Sequence, residues 1–251
     1  MVVFPNAKIN IGLNITEKRA DRFHNIESIF YPVLDLYDVL EIIESKELKF
    51  TSSGIEIPGN TIDNLCLKAY HLLKNDFDLP PVHIHLLKVI PIGAGLGGGS
   101  SDAAFTLKLL NEKFELQLSD EHLINYARRL GSDCAFFIKN KPVYAFHKGD
   151  EFEDIDLSLT NFDIKVEYPN IHIGTAEAYA GVIPQSSKID LKKIKVSEIE
   201  SWKFYVKNDF EDSICLNHSA IKQLKEKLYS DGALYASMTG SGSAVFGIFR
   251  K

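Results

Sequence analysis

The sequence has little of what would mark an extracellular or membrane protein. It has three cysteines in 251 residues, Cys66, Cys134 and Cys215. Because they are odd in number and widely separated, they argue against a disulfide framework and a Cys-x-x-Cys metal site, and favour reduced thiols in the cytoplasm. No uncharged apolar run reaches the ~20 residues of a membrane helix. The first residues lack the basic start and long apolar stretch of a signal peptide. We therefore expect a cytoplasmic protein with no membrane partner.

Positive charge is also scarce. The chain has 28 lysines and arginines against 34 aspartates and glutamates, a formal net charge of −6 at pH 7. It lacks the general basic field that holds nucleic acid, so we expect no nucleic-acid partner. Any anionic ligand must therefore be bound by local donors. The hydrophobic fraction of 45% is that of an ordinary globular protein with a substantial core, and the sequence leaves the oligomeric state open.

The apolar periodicity predicts a mixed α/β chain of two lobes that meet near residues 145–165. Ser119 is a plausible N-cap and Gly131 a plausible C′ residue for one of the helices. The predicted strands are 2–4, 8–15, 26–34, 39–43, 48–51, 82–90, 162–168 and 244–249, and the predicted helices are 64–73, 101–110, 119–130, 175–179 and one around 221–228. Residues 185–200 are polar and lysine-rich, which is typical of a surface connection.

The strongest chemical signal is the glycine-rich run from Pro91 to Ala104, between a predicted strand and a predicted helix. Five glycines in seven positions leave backbone N–H groups unobstructed, so that the loop can press against phosphate oxygens. The following helix adds free N–H groups and the positive end of its dipole. Ser100 and Ser101 lie where a hydroxyl could bind a phosphate oxygen or help hold Mg²⁺.

Three better-known phosphate motifs fit this run poorly. A Walker A loop would end in Gly-Lys-Ser/Thr, which is absent. A Rossmann loop matches formally through Gly93, Gly95 and Gly98, but the acidic residue at the required spacing, Asp120, lies in the first turn of a predicted helix. A protein kinase is excluded because the chain has no His-Arg-Asp or Asp-Phe-Gly triplet.

Three segments taken together resemble the GHMP kinases, the superfamily that includes galactokinase, homoserine kinase and mevalonate kinase. In the expected order, they are Pro5–Ile11, Pro91–Ala104 and Met238–Phe246. The segments Arg19–His24, Gly131–Phe137 and Asn208–Glu211 resemble, more narrowly, a GHMP kinase for an alcohol linked to cytidine diphosphate. The chain departs from that pattern at three positions, where Asn6, Arg22 and Phe23 replace the more typical Pro, Gly and Tyr.

The resemblance implies a fold of the α/β (α+β) class with two lobes. The ATP-binding lobe would span residues 1–150 and resemble the ribosomal protein S5 domain 2-like fold; the substrate lobe, 151–251, would be ferredoxin-like. It also implies ATP and Mg²⁺ as cofactors and a small-molecule substrate that carries cytidine diphosphate. The reaction would transfer the ATP γ-phosphate to a substrate hydroxyl.

The resemblance further implies roles for individual residues. Asp133 would accept or orient the proton of the attacking hydroxyl, and Lys8 would pair with Asp133 and stabilise the negative charge of transfer. From the residues alone, Asp133 could instead satisfy a helix end and Lys8 could be a solvated strand lysine. The implied nucleotide-binding residues are Pro91, Ile92, Gly93, Ala94, Gly95, Leu96, Gly97, Gly98, Gly99, Ser100, Ser101, Asn64 and Lys88. The implied substrate-binding residues are Asn10, Phe23, His24, Thr175 and Tyr179, with Phe23 and Tyr179 stacking on a cytosine.

Three other functions stay open at this point. The chain could be a GHMP kinase for homoserine, mevalonate or a sugar. It could be a non-catalytic module that binds nucleotide, although such a module commonly loses the groups found here as Lys8 and Asp133. A nicotinamide-dependent oxidoreductase is the most distant alternative.

Overall fold

The computed structural model describes every residue from Met1 to Lys251. Contacts divide the chain into two compact units, each assembled from three segments. Unit 1 comprises residues 1–7, 32–92 and 97–141, and unit 2 comprises residues 8–31, 93–96 and 142–251. The lobes proposed above, 1–150 and 151–251, stay a prediction, because the two units are not continuous in sequence.

The regular elements are numbered in chain order. The strands are β1 Val2–Val3, β2 Asn6–Lys18, β3 His24–Tyr37, β4 Val39–Glu44, β5 Lys49–Gly54, β6 Val82–Lys88, β7 Val143–Phe146, β8 Glu151–Asp154, β9 Phe162–Glu167, β10 Tyr235–Met238 and β11 Val245–Arg250. The α-helices are α1 Leu65–Lys74, α2 Gly98–Lys113, α3 Asp120–Leu130, α4 Phe136–Lys139, α5 Thr175–Ala180, α6 Trp202–Tyr205, α7 Glu211–Asn217 and α8 Ser219–Ser230.

Unit 1 contains a four-stranded sheet and four helices. The strand order is β1-β4-β6-β5, in which β5 runs parallel to β6 and the other pairs are antiparallel. Alternate residues of β4 and β6, such as Leu40, Ile42, Ile84 and Leu86, are buried because side chains on a strand alternate between two faces. Helices α1 to α4 pack on one another and α2 also contacts β4. This packing fixes both the strand before the glycine-rich loop and the helix after it.

Unit 2 contains most of the sheet β2-β3-β7-β8 and all of the antiparallel sheet β10-β11-β9. Helix α8 packs on β10 and β11. The single tryptophan, Trp202, is fully buried and contacts the ring of Tyr235 edge to face at 5.7 Å between centroids. The β2 residues Ile9, Ile11 and Ile15 are fully buried, which confirms the predicted strand and extends it to Lys18.

The structure confirms the long predicted elements and adds short ones. Helix α2 begins at Gly98 and not at residue 101, because the last glycines of the loop already adopt the helical first turn. Six short elements, β7, β8, β10, α4, α6 and α7, were missed, because so few residues give only a weak periodic signal. The 185–200 connection contains two 3₁₀ turns that bury Leu191 and Ile199. No helix has the length and apolar character that a membrane span requires.

Candidate active site

Backbone geometry explains most of the glycines in the phosphate loop. Gly93, Gly95 and Gly97 have φ values of +68°, +79° and +70°, in the left-handed region that side chains disfavour. Gly98 has an ordinary φ but little space, since a Cβ atom there would lie 2.9 Å from Nζ of Lys88. The loop therefore needs glycine for its path in three places and for a close approach in a fourth.

Three buried charged side chains lie at the base of this loop, and we name them the Lys88 bridge: Asp38, Lys88 and Asp102. Nζ of Lys88 donates to Oδ2 of Asp38 and, at 2.8 Å, to Oδ2 of Asp102. Oδ1 of Asp38 accepts from the backbone N–H groups of Val89 and Ile90 at 2.6 and 2.9 Å. The three side chains are between 0% and 4% exposed. The bridge thus joins the segment that enters the loop to the helix that leaves it.

The charges of the Lys88 bridge perturb one another strongly. Burial raises the pKa of Asp102 to about 7, against the lowering effect of the Lys88 ammonium. Burial also disfavours the charged form of Lys88, but the two carboxylates outweigh it, and the pKa of Lys88 is raised. Oδ1 of Asp102 and Oγ of the neighbouring Ser101 are buried and have no hydrogen-bond partner.

The second half of the loop lies beside the turn that carries Asp133. The Ser100 side chain lies near the Cys134 thiol, whose pKa burial raises and Ser100 lowers, and α2 packs against α4. Asp133 occupies the turn between α3 and α4, half-buried, next to Cys134. Unit 1 therefore brings together the end of the phosphate loop and the residue expected to receive the hydroxyl proton.

Two other predicted residues of unit 1 have clear structural roles. Asn64 caps α1, and its Oδ1 accepts from the backbone N–H of Cys66 at 2.9 Å. A Cβ atom on Gly99 would lie 3.8 Å from Leu65, so the start of α1 is next to the loop. Asn6, the first departure from the family pattern, exchanges two amide hydrogen bonds with Asn140, at 3.2 and 2.6 Å.

Lys8 and Asn10 lie in a buried hydrogen-bond network of unit 2. Nζ of Lys8 donates to Oδ1 of Asn10 at 2.6 Å and to the carbonyl of Gly95 at 3.1 Å. Oγ1 of Thr239 accepts from the backbone N–H of Asn10 at 3.0 Å and lies 3.2 Å from the Gly95 carbonyl. Nδ2 of Asn10 donates to Ser28 at 2.9 Å. The three sequence motifs of the chain thus meet at the carbonyl of Gly95, which accepts from both Lys8 and Thr239.

The C-terminal motif is itself anchored by the 208–211 segment. Nδ2 of Asn208 donates to the carbonyls of Met238 and Gly240, both at 2.9 Å. Oε1 of Glu211 accepts from the Met238 N–H at 2.5 Å, while Oε2 accepts from Lys225. Burial of Lys225 disfavours its charge, but Glu211 outweighs this and raises the pKa of Lys225. These contacts explain structurally why the 208–211 segment accompanies the C-terminal motif.

Two of the predicted base-binding side chains, His24 and Tyr179, form an aromatic group with Phe210 in unit 2. The rings of His24 and Tyr179 stack with centroids 4.4 Å apart and an angle of 19°, and Phe210 meets Tyr179 edge to face. Phe23 is 57% exposed, with the Lys148 ammonium 5.4 Å from its ring. Burial, and secondarily the Lys18 charge, lowers the pKa of His24. Thr175 is exposed at the first position of α5.

The turn before this group contains the second departure from the family pattern. Arg22 has a φ of +71°, a value at which glycine carries no strain. The turn is closed by the N–H of Arg19, which donates to the carbonyl of Phe23 at 2.9 Å. The glycine of the family pattern is therefore explained by the backbone, and arginine occupies the same conformation here.

The sequence did not single out several of these residues. Asp38 had no signal, because an aspartate at the start of a strand is common. Asp102 and Thr239 lay inside quoted motifs but carried no assigned role, and Ser28 lay inside a strand. Their importance follows from contacts with residues distant in sequence, which no local pattern reports.

Comparison with known proteins decides the family. A family model described as the GHMP kinases N terminal domain matches residues 64–141, and the GHMP kinases C terminal model matches residues 200–251. The chain is 53% identical over 250 residues to a 4-diphosphocytidyl-2-C-methyl-D-erythritol kinase of Cytophaga hutchinsonii, covering 99% of this chain and 92% of that protein. This chain belongs to the 4-diphosphocytidyl-2-C-methyl-D-erythritol kinase family. A kinase of the same name from Bacteroides fragilis is 51% identical, with 99% of this chain and 92% of that protein covered.

Solved structures agree with membership of this family. A crystal structure of a 4-(cytidine 5'-diphospho)-2C-methyl-D-erythritol kinase matches with a TM-score of 0.85 at 27% identity, covering 99% of this chain and 90% of that one. A homoserine kinase from Cytophaga hutchinsonii matches with a TM-score of 0.66 at 13% identity, covering 98% of this chain and 85% of that one, which shows a shared fold only. The predicted two-lobed GHMP kinase fold is therefore confirmed, and so is the kinase activity class.

Proposed function

We propose that this protein transfers the γ-phosphate of ATP to the 2-hydroxyl of 4-diphosphocytidyl-2-C-methyl-D-erythritol. The products are the 2-phosphate and ADP, and the reaction belongs to the non-mevalonate isoprenoid pathway. The observation that carries the proposal is the similarity to kinases of this name, at about half identity over 99% of the chain. We also propose a cytoplasmic location, which suits three free cysteines.

For the nucleotide, we propose that residues 91–101 bind the ATP phosphates through backbone N–H groups and the start of α2, with Asn64 beside them. The positive φ values of three glycines support this, since such a path is typical of loops that approach phosphate closely. The helix dipole adds favourable electrostatics for an anion.

For Mg²⁺, we propose that the metal arrives with ATP and takes a hydroxyl of Ser100 or Ser101 as a protein ligand. No group of three or more His, Cys, Asp or Glu side chains in the chain could hold a metal ion. A Mg²⁺ ion that accompanies ATP is commonly held by phosphate oxygens and water, with one or two protein oxygens. Of these two hydroxyl groups, that of Ser100 is the more accessible, because Ser100 is half-buried and Ser101 is fully buried. The bound ion would neutralise charge on the transferred phosphoryl group.

For the chemistry, we propose that Asp133 accepts or orients the proton of the substrate hydroxyl. We propose that the Lys8 ammonium stabilises the negative charge of the transition state. Lys8 donates hydrogen bonds to Asn10 and Gly95, which hold its ammonium in place. This supports a role in charge stabilisation, because a preorganised charge needs little reorientation during the reaction. The position of Asp133 beside the Ser100–Cys134 contact supports its part.

For the substrate base, we propose that the rings of Phe23 and Tyr179 stack on the cytosine, with His24 near its hydrogen-bonding edge and with Thr175 and Asn10 contributing polar contacts. Aromatic faces are suited to flat bases, and phenylalanine in place of tyrosine at position 23 keeps the stacking face. The exposed ring of Phe23 supports its availability to a ligand.

The direct test is ADP release from Mg-ATP and 4-diphosphocytidyl-2-C-methyl-D-erythritol. Asp133→Ala should lower kcat by a factor on the order of 10²–10⁴, as expected for loss of a proton acceptor. The matched control is Asp78→Ala, which removes an exposed carboxylate of the same unit and should keep wild-type rates. Substrate-dependent release that survives Asp133→Ala would leave Asp133 a minor orienting group. No release from this substrate, with turnover of homoserine, mevalonate or a sugar, would refute the proposed substrate.

A further inference from the structure

We propose that Lys88 is a positioning residue that fixes the two stems of the phosphate loop to each other, and that it contributes to nucleotide binding through the loop without touching the nucleotide. The proposal rests on the proposed function, because it assigns the loop to ATP. It gives Lys88 a different part from the ATP-lining role that family resemblance implies. It also assigns roles to Asp38 and Asp102, two residues outside the predicted site.

The first support is the position of the partners along the chain. Asp38 binds the N–H groups of Val89 and Ile90, directly before the loop begins at Pro91. Asp102 lies in α2, directly after the predicted nucleotide-binding residues end at Ser101, and Lys88 donates to both carboxylates. The Lys88 bridge therefore closes the base of the eleven-residue segment 91–101, which comprises the loop and the first four residues of α2.

The second support is that Lys88 is inaccessible. Its side chain is 4% exposed, and its Nζ lies directly behind Gly98, where a single added Cβ atom would approach it within 2.9 Å. A side chain at position 98 would fill the space that the Lys88 ammonium occupies behind the loop. Glycine at this position therefore leaves room for the ammonium. An ammonium already bound by two carboxylates has few donors left for a phosphate oxygen.

The third support is the energetic character of the Lys88 bridge. Three buried charges are costly unless their geometry is well satisfied, so the bridge is a poor device for general stability. Oδ1 of Asp102 is also buried and has no partner. Burying charge is better explained as a means of fixing one conformation, the use for which buried ion pairs are best attested. A loop fixed before binding has a larger binding-competent fraction, and apparent affinity rises with that fraction.

The experiment measures ADP affinity by calorimetry, together with kcat, for Lys88→Met, Asp102→Ala and the double variant. If Lys88 acts through the loop, both single variants should weaken ADP binding by about tenfold or more, because either one releases the stems. The double variant should be no weaker than Lys88→Met alone, since the bridge can be broken only once. At saturating ATP, kcat should stay within about threefold, because the reacting groups are unchanged.

Direct contact of Lys88 with the nucleotide makes the opposite prediction for Asp102→Ala. Removing that carboxylate would leave the ammonium in place and ADP affinity unchanged, which would overturn the proposal. Leu73→Ala is the matched control for lost stability, because it opens a cavity in the fully buried core of the same unit without altering the loop stems. If Leu73→Ala weakens ADP binding equally, the effect is general instability and the proposal fails.

A measurement without nucleotide separates this proposal from the proposed function. Hydrogen exchange of the apo protein should accelerate at the amides of residues 92–101 in Asp102→Ala, and not selectively there in Leu73→Ala. Where Lys88→Met does not fold, Asp102→Ala carries this test alone. Unchanged exchange in the loop would overturn the positioning role even if ATP is the substrate. Faster loop exchange in a protein that binds no ADP would retain it and refute the proposed nucleotide.

Discussion

Replacing Gly95 with alanine adds one methyl group at a place where two motifs of the chain touch. Gly95 has a φ of +79°, and a Cβ atom on it would lie less than 3.0 Å from the carbonyl oxygen of Thr239, closer than real Cβ atoms come. The carbonyl of Gly95 is also an acceptor for Lys8 and Thr239. Alanine would therefore strain the backbone and force the two segments apart.

The loss of folding stability in Gly95→Ala has two sources, backbone strain and weakened hydrogen bonds. The left-handed conformation costs alanine ~1–2 kcal/mol. Separating the segments weakens two hydrogen bonds, one neutral at ~1 kcal/mol and one from an ammonium at ~1.5–3 kcal/mol. Gly232→Ala isolates the first term, because Gly232 lies in the same unit, has a φ of +99° and has nothing within 4 Å of an added Cβ. We therefore expect Gly95→Ala to lower the free energy of unfolding by about 2–4 kcal/mol more than Gly232→Ala does.

The assay is urea unfolding followed by the fluorescence of Trp202. As the only tryptophan, fully buried in unit 2, it reports on the unit that contains both glycines. The midpoint should fall further for Gly95→Ala, with an unchanged m value. Equal midpoints for the two variants would refute the close approach of Gly95 to Thr239.

Three further predictions concern the chemistry of individual side chains. Thr239→Val should lower kcat about tenfold with little change in KM, because it removes the hydroxyl that bonds to Asn10 and Gly95, the two acceptors of Lys8. Thr239→Ser keeps the hydroxyl and should restore the rate. Tyr179→Ala should raise the Kd for CDP about tenfold in titration calorimetry while Tyr179→Phe stays near wild type, since stacking needs only the ring. At pH 8, Cys215 should be the first thiol of the native protein to react with a thiol reagent. Burial raises the pKa of Cys134 to about 12 and that of Cys66 still further, so these two thiols should react slowly. Equal labelling of all three cysteines before unfolding would contradict this prediction.

Local patterns predicted the parts of the fold that carry a period or a stop signal. Helix α3 begins after Ser119 and ends before Gly131, where a cap and a C′ glycine were expected. The start of α2 was placed three residues too late, because glycines are poor helix formers and their helical turn here is stabilised by tertiary packing. The short strands β7 and β8 carried no local signal; β7 is a strand because it pairs with β3, and β8 because it pairs with β7.

The site shows the same division between local and distant information. The phosphate loop could be predicted from sequence because its chemistry is concentrated in adjacent residues. The Lys88 bridge could not, since Asp38 lies 50 residues from Lys88. The roles of Lys8 and Asp133 came only from resemblance to a family, because neither residue stands out by type or spacing.

The contact between Gly95 and Thr239 also has a consequence for biosynthesis. Thr239 lies 144 residues after Gly95 and 229 residues after Asn10, yet it hydrogen-bonds with both. At ~5–20 residues per second, the ribosome needs roughly 7–30 s to deliver Thr239 after Gly95. The loop therefore cannot take its final form until Thr239 has been synthesised. A nascent chain that stops before Thr239 should bind nucleotide poorly, so ATP would be bound only after that residue has joined the loop.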